Sequence, residues 1–181
     1  MGTKQAKPSS LTEDYKMIKS FTDKNIGSIE MYKHEENSEY IIRKKISSSS
    51  YGDSQKLIDL FLRRLETDSH SSLQKIVHID NSETRKDKKD VYFEFSRINL
   101  LDVMKRCKEK GQKIPEDEIW RVLKTMIALG KFFEDKLEHH PSITLQNIFV
   151  IGDEFKLVHP YVYDSYLKEI EKVSEFMDLF I

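Results

Sequence analysis

The stretch His-Pro-Ser-Ile-Thr-Leu-Gln-Asn-Ile-Phe-Val, residues 140–150, decides how the fold of this chain is interpreted. It follows a long helical pattern, and it carries the polar residues His140, Ser142 and Asn147 among apolar ones. Asparagines in turns commonly hydrogen-bond the backbone of their own loop, so Asn147 is predicted to hold this loop together. His140 is predicted to pack inside the loop as a structural histidine.

A long amphipathic helix is predicted before this stretch. Pro115 is followed by three acidic residues, and a proline in the first turn with acids at the positive end of the dipole is typical of a helix start. From Ile119 apolar residues recur at helical spacing as far as about Leu137. They are Val122, Leu123, Met126, Ile127, Leu129, Phe132 and Phe133. Trp120 and this apolar face are predicted to belong to the core.

The first half of the chain is predicted to be rich in strands. Residues 25–33 and 38–46 are short segments with β-branched and aromatic residues around a polar turn at 35–37, which predicts a β-hairpin. Residues 56–66 have the apolar spacing of an amphipathic helix. The charged run 81–90 is predicted to be a solvated turn between strands. Strands, a helix, more strands and then helices make an α+β pattern.

Residues 140–150 resemble the catalytic loop of protein kinases, H-R-D-L-x-x-x-N. Ser142 stands at the position of the aspartate, and Asn147 at that of the asparagine. In a working kinase the aspartate accepts the proton of the substrate hydroxyl and the asparagine holds a magnesium ion. The chain therefore keeps the metal-binding residue of the loop and lacks its acid.

Other kinase landmarks follow in the right order along the chain. Residues 41–46 resemble the V-A-I-K strand, with Lys44 at the lysine that pairs with the phosphates of the nucleotide. Residues 26–29 resemble the end of a Gly-rich loop, and residues 91–95 resemble the strand that enters the hinge between the lobes. Residues 100–104 are similar to the short helix that follows.

The resemblance spans roughly residues 11–161, and the phrases K-R-C-K and I-P-E-x-x-I-W are most similar to NIMA-related serine/threonine kinases. It implies a protein-kinase-like fold with a β-rich N-lobe and a partial helical C-lobe. The corresponding division of the chain is a flexible segment at 1–10, the N-lobe at 11–95, the partial C-lobe at 96–162 and an amphipathic helix at 163–181.

Several groups that carry kinase chemistry are missing. Ser142 has no charge near neutral pH and cannot serve as the acidic base. His159 stands at the D-F-G aspartate position, where magnesium prefers oxygen ligands. Of the three glycines of the phosphate loop only Gly27 remains, and Ile58 falls where the acidic partner of Lys44 is expected. No catalytic residue is therefore assigned.

The resemblance leaves a degenerate nucleotide site at Lys44, Asn147 and Gly27. The expectation is that no cofactor is bound, and binding of ATP with magnesium through these residues is the alternative. The histidines near the loop lack the cysteines or acids that complete a metal-ligand set, so no metal site is expected.

The C-terminal segment departs from a whole kinase, which continues past the D-F-G position into helices that bind peptide substrate. Here Asp164 can cap a helix whose apolar residues recur at alternating four- and three-residue steps. This apolar seam consists of Tyr166, Ile170, Val173, Met177 and Phe180. The seam is predicted to bind a protein partner, because a half lobe exposes more apolar surface than a monomer tolerates. The alternative is that the helix folds back over the surface left bare.

The amino-acid composition limits the classes of function that this chain is expected to have. The 30 basic and 31 acidic residues nearly balance, so no net field attracts nucleic acid or an anionic membrane. No stretch approaches the roughly eighteen apolar residues of a membrane span, and there is no apolar secretory segment. The single cysteine, Cys107, excludes an intramolecular disulfide and favours a reducing, cytoplasmic environment.

These features predict a catalytically inactive kinase-like protein, a pseudokinase, that acts as a structural or scaffold component of a larger assembly. Because NIMA-related kinases associate with cilia and microtubules, the resemblance implies a cytoskeletal or ciliary setting with microtubule or axonemal partners. Three alternatives are open: a residual ATP-dependent serine/threonine kinase, an incomplete gene model of one, and a nucleotide-sensing pseudokinase that binds ATP without transfer.

Overall fold

The computed structural model describes residues 14–23, 27–47, 63–64, 67, 69–80, 88–136, 140 and 142–163. Across these residues the chain forms a five-stranded antiparallel sheet, two α-helices and a two-stranded hairpin. Strands and helices follow one another in blocks rather than alternating, which is the α+β class predicted from the sequence.

The sheet contains the strands β1 (Tyr15–Asp23), β2 (Gly27–His34), β3 (Tyr40–Ser47), β4 (Ile76–Asp80) and β5 (Lys88–Phe95). Their order is β1-β2-β3-β5-β4, and every neighbouring pair is antiparallel. The predicted hairpin is confirmed as β2 and β3, with strand ends shifted by one or two residues. The sequence pattern did not predict β1.

Both edge strands of the sheet are irregular. The pairing of β1 with β2 changes register between Met17 and Lys19, and the pairing of β4 with β5 changes register between Ile76 and His78. A register change of this kind marks a β-bulge, which bends the strand and interrupts its ladder of hydrogen bonds.

Successive side chains of the central strand β3 point to opposite faces of the sheet. Ile42, Lys44 and Ile46 are all buried, and the two isoleucines belong to an apolar cluster that includes Val91 and Phe93 of β5. We call this side the inner face. The opposite side, the outer face, carries Arg43 and Lys45 of β3.

The predicted solvated turn at 81–90 is corrected at its C-terminal end. Residues 81–87 lie outside the described part of the chain, but residues 88–90 belong to β5. Lys89 and Asp90 are buried, each 8 % exposed. The Asp90 carboxylate forms an ion pair with the Arg43 guanidinium of β3 at 3.4 Å. This partner, distant in sequence, explains why the end of a charged run belongs to a strand.

The two helices are α1 (Leu100–Glu109) and α2 (Glu116–Asp135). The side chain of Asn99 caps α1 by accepting a hydrogen bond from the backbone N–H of Asp102 at 2.9 Å. Pro115 precedes α2, and three acids occupy its first turn, as predicted.

Trp120 is not a core residue, which corrects the prediction from the sequence. Its side chain is 53 % exposed, and those of Leu123 and Ile127 are 44 % and 72 % exposed. The residues of α2 that are buried are Leu129 and Phe133. Apolar residues occupy two sides of this helix, and helical spacing alone does not tell which side meets the core.

The chain after α2 forms the hairpin of β6 (Ile148–Ile151) and β7 (Glu154–Leu157), flanked by the 3-10 helices Leu145–Asn147 and Pro160–Val162. Ile148 and Leu157 pack with Leu129 and Phe133 in a second apolar cluster. The next residue, Val158, belongs to the cluster on the inner face of the sheet. The chain therefore passes directly from one core cluster to the other.

Three predicted segments fall wholly or largely outside the described residues. They are the flexible segment 1–10, the helix at 56–66 apart from residues 63–64, and the apolar seam of the C-terminal segment. No helix among the described residues is both long enough and apolar enough to cross a bilayer.

Candidate functional site

The loop of residues 140–147 is held by hydrogen bonds from Asn147. Its side-chain amide nitrogen Nδ2 donates to the carbonyl oxygen of Ser142 at 3.2 Å and to the hydroxyl oxygen of Ser142 at 2.9 Å. The carbonyl of Asn147 accepts from the backbone N–H of Val158 at 2.8 Å. These contacts are those of an asparagine that ties its own loop together, as the sequence predicted.

His140 connects the same loop to Val158, the residue that follows β7. Its Nδ1 accepts a hydrogen bond from the backbone N–H of Ser142 at 3.1 Å, and its Nε2 lies 2.8 Å from the carbonyl oxygen of Val158. A neutral imidazole with its proton on Nε2 satisfies both partners at once. The ring meets Phe133 and Tyr163 edge-on, with centroid distances of 5.7 and 5.8 Å. The predicted structural role of His140 is confirmed.

His159 is enclosed rather than presented to a cleft. Its side chain is 2 % exposed, lies stacked on Tyr161 with ring centroids 5.0 Å apart, and lies 5.5 Å from the ring of Phe93. Its Nδ1 accepts the backbone N–H of Tyr161 at 3.4 Å, which caps the 3-10 helix Pro160–Val162. Packing and capping therefore account for this histidine.

Gln74 joins the segment after β7 to the end of β5. Its carbonyl oxygen Oε1 accepts the backbone N–H of His159 at 3.1 Å, and its Nε2 donates to the backbone carbonyl of Glu94. The residue is 1 % exposed, so both halves of a buried amide are satisfied. No sequence pattern indicated this residue, because its partners lie 20 and 85 positions away.

Lys44 lies on β3, opposite Ile29 of β2 and Val91 of β5. It is 2 % exposed on the inner face, between Ile42 and Ile46, and the cluster that those isoleucines form also contains Tyr161. Lys44 and the segment that carries His159 are thus brought to the same side of the sheet. The inner face is covered at this position.

Gly27 begins β2 with a positive φ of 69°, a backbone conformation that glycine adopts without strain. It pairs with Asp23 across the hairpin of β1 and β2, and Thr22 is exposed beside it. Lys24 and Ile58, the other positions compared with the kinase pattern, lie outside the described residues.

The described residues of the loop and of segment 158–163 include no carboxylate side chain. Ser142 carries an uncharged hydroxyl and His159 an imidazole that caps a helix, so neither offers the carboxylate that binds magnesium or serves as the acidic base of a phosphoryl-transfer site. Within the described ranges no three His, Cys, Asp or Glu side chains lie close enough together to hold a metal ion.

Two cavities lie away from these residues. One, of about 510 Å³, is largely apolar and lies between α1 and α2, where Cys107, Ile119 and Leu123 line it. The other, of about 710 Å³, is more polar and lies beside the end of β5, where Glu94 and Arg97 line it. Neither of these two cavities is lined by Lys44, Asn147 or His159.

A charged cluster on the outer face was missed by sequence reasoning. Arg43 pairs with Glu30 of β2 and with Asp90 of β5, and its guanidinium lies 5.6 Å from the ring centroid of Tyr32. Glu30 also accepts from Lys45 at 2.8 Å and from the Tyr32 hydroxyl at 2.7 Å. The three charged residues of β3, Arg43 to Lys45, are consecutive and all basic, so the sequence did not indicate which of them would pair.

The cluster shifts the proton affinities of its members. Burial disfavours the charged form of Glu30 and by itself would raise its pKa. Hydrogen bonds from Lys45 and Tyr32 and the positive charge of Arg43 have a larger combined effect in the other direction. The pKa of Glu30 therefore lies below its ordinary value. Burial and the hydrogen bond to Glu30 raise the pKa of Tyr32. These contacts link three strands and explain the cluster as a structural feature.

A scan of the sequence against protein-family models finds no match, and a search of curated proteins finds none. Any assignment of function therefore rests on the residues and contacts of this chain.

Proposed function

We propose that this chain is a protein-kinase-like protein that does not transfer phosphoryl groups and that works as a structural or scaffold component of a larger assembly. The setting we propose, cytoskeletal or ciliary, derives only from the resemblance to NIMA-related kinases.

The kinase-like part of the proposal is supported by the context of the retained residues. Lys44 lies on the third strand of an antiparallel sheet, which is the context that a V-A-I-K lysine requires. Asn147 follows a long helix and stands just before the hairpin of β6 and β7. His159 comes two residues after that hairpin, at the D-F-G position of the kinase order.

One observation supports the proposed lack of catalysis. The two positions where a kinase has an acid are occupied by Ser142 and His159, whose side chains make contacts that stabilise the fold. The Ser142 hydroxyl lies 2.9 Å from Nδ2 of Asn147, and the His159 imidazole is 2 % exposed and caps a helix. Phosphoryl transfer depends on positioned charges that hold metal and orient the nucleophile. Neither engaged group supplies such a charge.

The assembly role is supported by the surface of the loop itself. Ile143 and Leu145, next to Ser142, are 58 % and 37 % exposed. Apolar side chains displayed beside the position where a kinase receives its substrate form a contact surface for another protein. A partner bound at this loop covers two side chains that otherwise face water.

A transfer assay tests the proposal directly. Purified chain is incubated with radiolabelled ATP, magnesium and a generic protein substrate, and no label above the blank is expected. The matched control is Lys44→Met, which identifies signal from a contaminating kinase because such signal persists in the variant. Transfer by the wild type that Lys44→Met abolishes would sink the proposal.

A thermal shift with ATP and magnesium separates the scaffold from a nucleotide sensor. We expect no change in melting temperature, because the inner face at Lys44 is covered. A stabilisation that grows with ATP concentration and is lost in Lys44→Met would replace the scaffold with a nucleotide-binding pseudokinase.

The assembly role is tested by the mass of the protein in extract of its native source. We expect it to migrate well above its chain mass of 21.4 kDa and to return toward that mass in Ile143→Lys. A wild-type chain that migrates alone contradicts the assembly role and leaves the lack of transfer untouched.

A further inference from the structure

The polar cavity beside the end of β5 lies where several elements of the fold meet. Its walls come from the starts of β3 and β4, the link between β5 and α1, the last turn of α1 and the end of β6. Its volume of about 710 Å³ is within the range of about 300–1,000 Å³ that is usual for ligand-binding clefts. We call it the β5 cavity.

Three basic side chains line the β5 cavity. They are Lys75 before β4, Arg97 after β5 and Arg106 in the last turn of α1, and all three are exposed. With the residues that the structure describes, none of the three forms an ion pair. The guanidinium carbon of Arg97 lies 5.9 Å from the ring centroid of Tyr40. This contact uses the face of the ring and accepts none of the five N–H donors that an arginine carries.

The two carboxylates that line the β5 cavity do not neutralise these cations. Oε1 of Glu94 accepts from Nζ of Lys156 at 2.9 Å and from the backbone N–H of Lys75 at 2.7 Å. Its charge is thus compensated by Lys156, a lysine that does not line the cavity. Glu39 is exposed, and its Oε2 lies 3.5 Å from the hydroxyl of Tyr15. Once Glu94 is set against Lys156, three positive side chains face one negative side chain in the lining.

An apolar wall lies beside the cations. Val77, Ile98 and Val150 line the same cavity, and Val77 is 38 % exposed. A small hydrated anion gains nothing from such a wall. An anionic residue that is followed by an apolar one gains from both parts, because burying apolar surface is favourable next to a charge-assisted contact.

We propose that the β5 cavity binds a phosphorylated segment of another protein. The phosphate is held by Lys75, Arg97 and Arg106, and an apolar side chain next to the phosphorylated residue packs against Val77 and Val150. This goes beyond the proposed function, and it stands whether or not the chain transfers phosphoryl groups.

The number of cations favours a phosphate over a carboxylate. A phosphorylated side chain carries a charge of about −1.5 to −2 at pH 7 and has three strong acceptor oxygens. Arginine side chains bind such a group through two parallel hydrogen bonds, and clusters of arginine are a recurring means of recognising phosphorylated motifs. A carboxylate, with a single charge, would leave part of the positive charge of the cavity without a partner.

The exposure of the cations favours a protein segment over a free small molecule. Sites for small ligands bury most of the surface of the ligand. Here Lys75, Arg97 and Arg106 are all exposed, so a bound phosphate is reached from solvent and the rest of its molecule can continue outside the cavity. A segment of a larger protein meets this geometry.

Fluorescence anisotropy with the full chain tests the proposal. The probe is a fluorescein-labelled peptide library with a central phosphoserine and randomised neighbours, and the same library with unphosphorylated serine is its reference. We expect saturable binding of the phosphorylated library, at least about ten times tighter than that of the reference, since the phosphate supplies the charge that the cavity recognises.

Arg97→Gln and Arg106→Gln each remove one cation and are each expected to weaken binding of the phosphorylated library at least about fivefold. The matched control is Lys105→Gln, which removes the same charge from the exposed surface of α1. Lys105 is the neighbour of Arg106, lies about 100° away around the helix and does not line the cavity. It is expected to change the affinity less than about twofold.

Protection of Lys75 from reductive methylation, followed by mass spectrometry of the wild type, gives a second readout that needs no variant. The phosphorylated library is expected to slow methylation of Lys75 and to leave that of Lys113, which is exposed and outside the cavity, unchanged. Equal methylation of Lys75 with and without the library contradicts the proposal.

Each outcome of the binding experiment decides the proposal. Absence of binding, equal binding of the two libraries, or an equal loss of affinity in Lys105→Gln and Arg106→Gln overturns it. Displacement of the phosphopeptides by an equal concentration of inorganic phosphate assigns the cavity to free phosphate and also overturns it. Binding to vesicles that contain phosphatidic acid, without binding of the peptides, assigns the cations to a membrane surface with the same consequence.

Discussion

At the scale of single residues, Asn147 shows how one side-chain amide can close a loop. Both hydrogen bonds of its amide nitrogen go to Ser142, one to the backbone and one to the side chain. An aspartate in place of Ser142 would bring a carboxylate to that amide, whereas the serine gives a neutral pair. The loop is thus closed by a contact that requires no metal.

Asn147→Asp is expected to destabilise the protein, because it replaces a donor with an acceptor that faces the Ser142 carbonyl. The expected loss in the free energy of unfolding is about 1–3 kcal/mol, measured by urea denaturation. Ser142→Ala is the matched comparison and is expected to lose about 1 kcal/mol or less, since the carbonyl acceptor remains. Equal stability of wild type and Asn147→Asp would contradict this role.

Glu30 is expected to make stability depend on acid pH. Its pKa in the folded protein lies below the ordinary value of 4.5, so its contribution is present above that pH and is lost as the pH falls through the folded pKa. Glu30→Gln is therefore expected to be less stable than wild type at pH 7, and the difference is expected to shrink as the pH falls below 4.5 and through the folded pKa of Glu30. Thermal melts across this range measure the difference.

The control for Glu30 is Glu36→Gln, in the exposed turn between β2 and β3. Its stability relative to wild type is expected to change little between pH 7 and about pH 4. If the melting temperatures of Glu30→Gln and wild type change with pH in parallel, the charged cluster is not the cause of the pH dependence.

At the scale of elements, sequence reasoning succeeded where the signal was local. The β2–β3 hairpin and the start of α2 were predicted from turns, caps and spacing within a few residues. The helix after β5 was expected only from the resemblance to kinases. The assignment of faces and of distant partners was not local. Asp90 sits in a charged run that looks solvated until Arg43, 47 positions earlier, is paired with it.

The difference between local signals and distant contacts also explains why the burial of Trp120 was predicted wrongly. It explains as well why only some of the site contacts were predicted. A helix with apolar residues on two sides gives one hydrophobic pattern, and only the fold shows which side is buried. For the candidate site, the loop role of Asn147 and His140 was predictable because Ser142, which both contact, is near them in sequence. The enclosure of His159 depends on Gln74 and Phe93, which no motif indicates.

The cap of α1 gives an element-scale prediction. Asn99→Ala is expected to cost about 1 kcal/mol in the free energy of unfolding, because the N–H of Asp102 loses its side-chain acceptor. Asn99→Ser is expected to recover most of that loss, since serine caps comparably. Chemical denaturation of wild type, Asn99→Ala and Asn99→Ser measures these differences in the free energy of unfolding. If Asn99→Ser is as unstable as Asn99→Ala, Asn99 has a role other than capping.

At the scale of the whole molecule, segment 157–163 joins the two core clusters. Leu157 packs with the helices, and Val158 and Tyr161 pack under the sheet, so a few consecutive residues couple both halves of the fold. The bridge between Leu73 and Leu157 fixes the segment from the other side. His159, which lies within this segment, is 2 % exposed and buried with it.

Tyr161→Ala is accordingly expected to be the most damaging of these substitutions. The side chain is 0 % exposed, and loss of a buried aromatic side chain typically costs about 3–5 kcal/mol. Ile143→Ala, at an exposed apolar site, is expected to stay within about 0.5 kcal/mol of wild type. Unfolding curves that lie close together for the two variants would show that the segment does not couple the clusters.

The bulges in β1 and β4 bear on how this protein behaves when it is concentrated. A sheet edge offers unpaired backbone groups to any other strand, and a regular edge invites fibrous aggregation. Here both edges are bent, and Lys16 and Lys19 add charge to β1, where Met17 and Ile18 are exposed. The sheet is thereby protected from growing by addition of strands, and crowded solutions of the chain are expected to stay clear of amyloid.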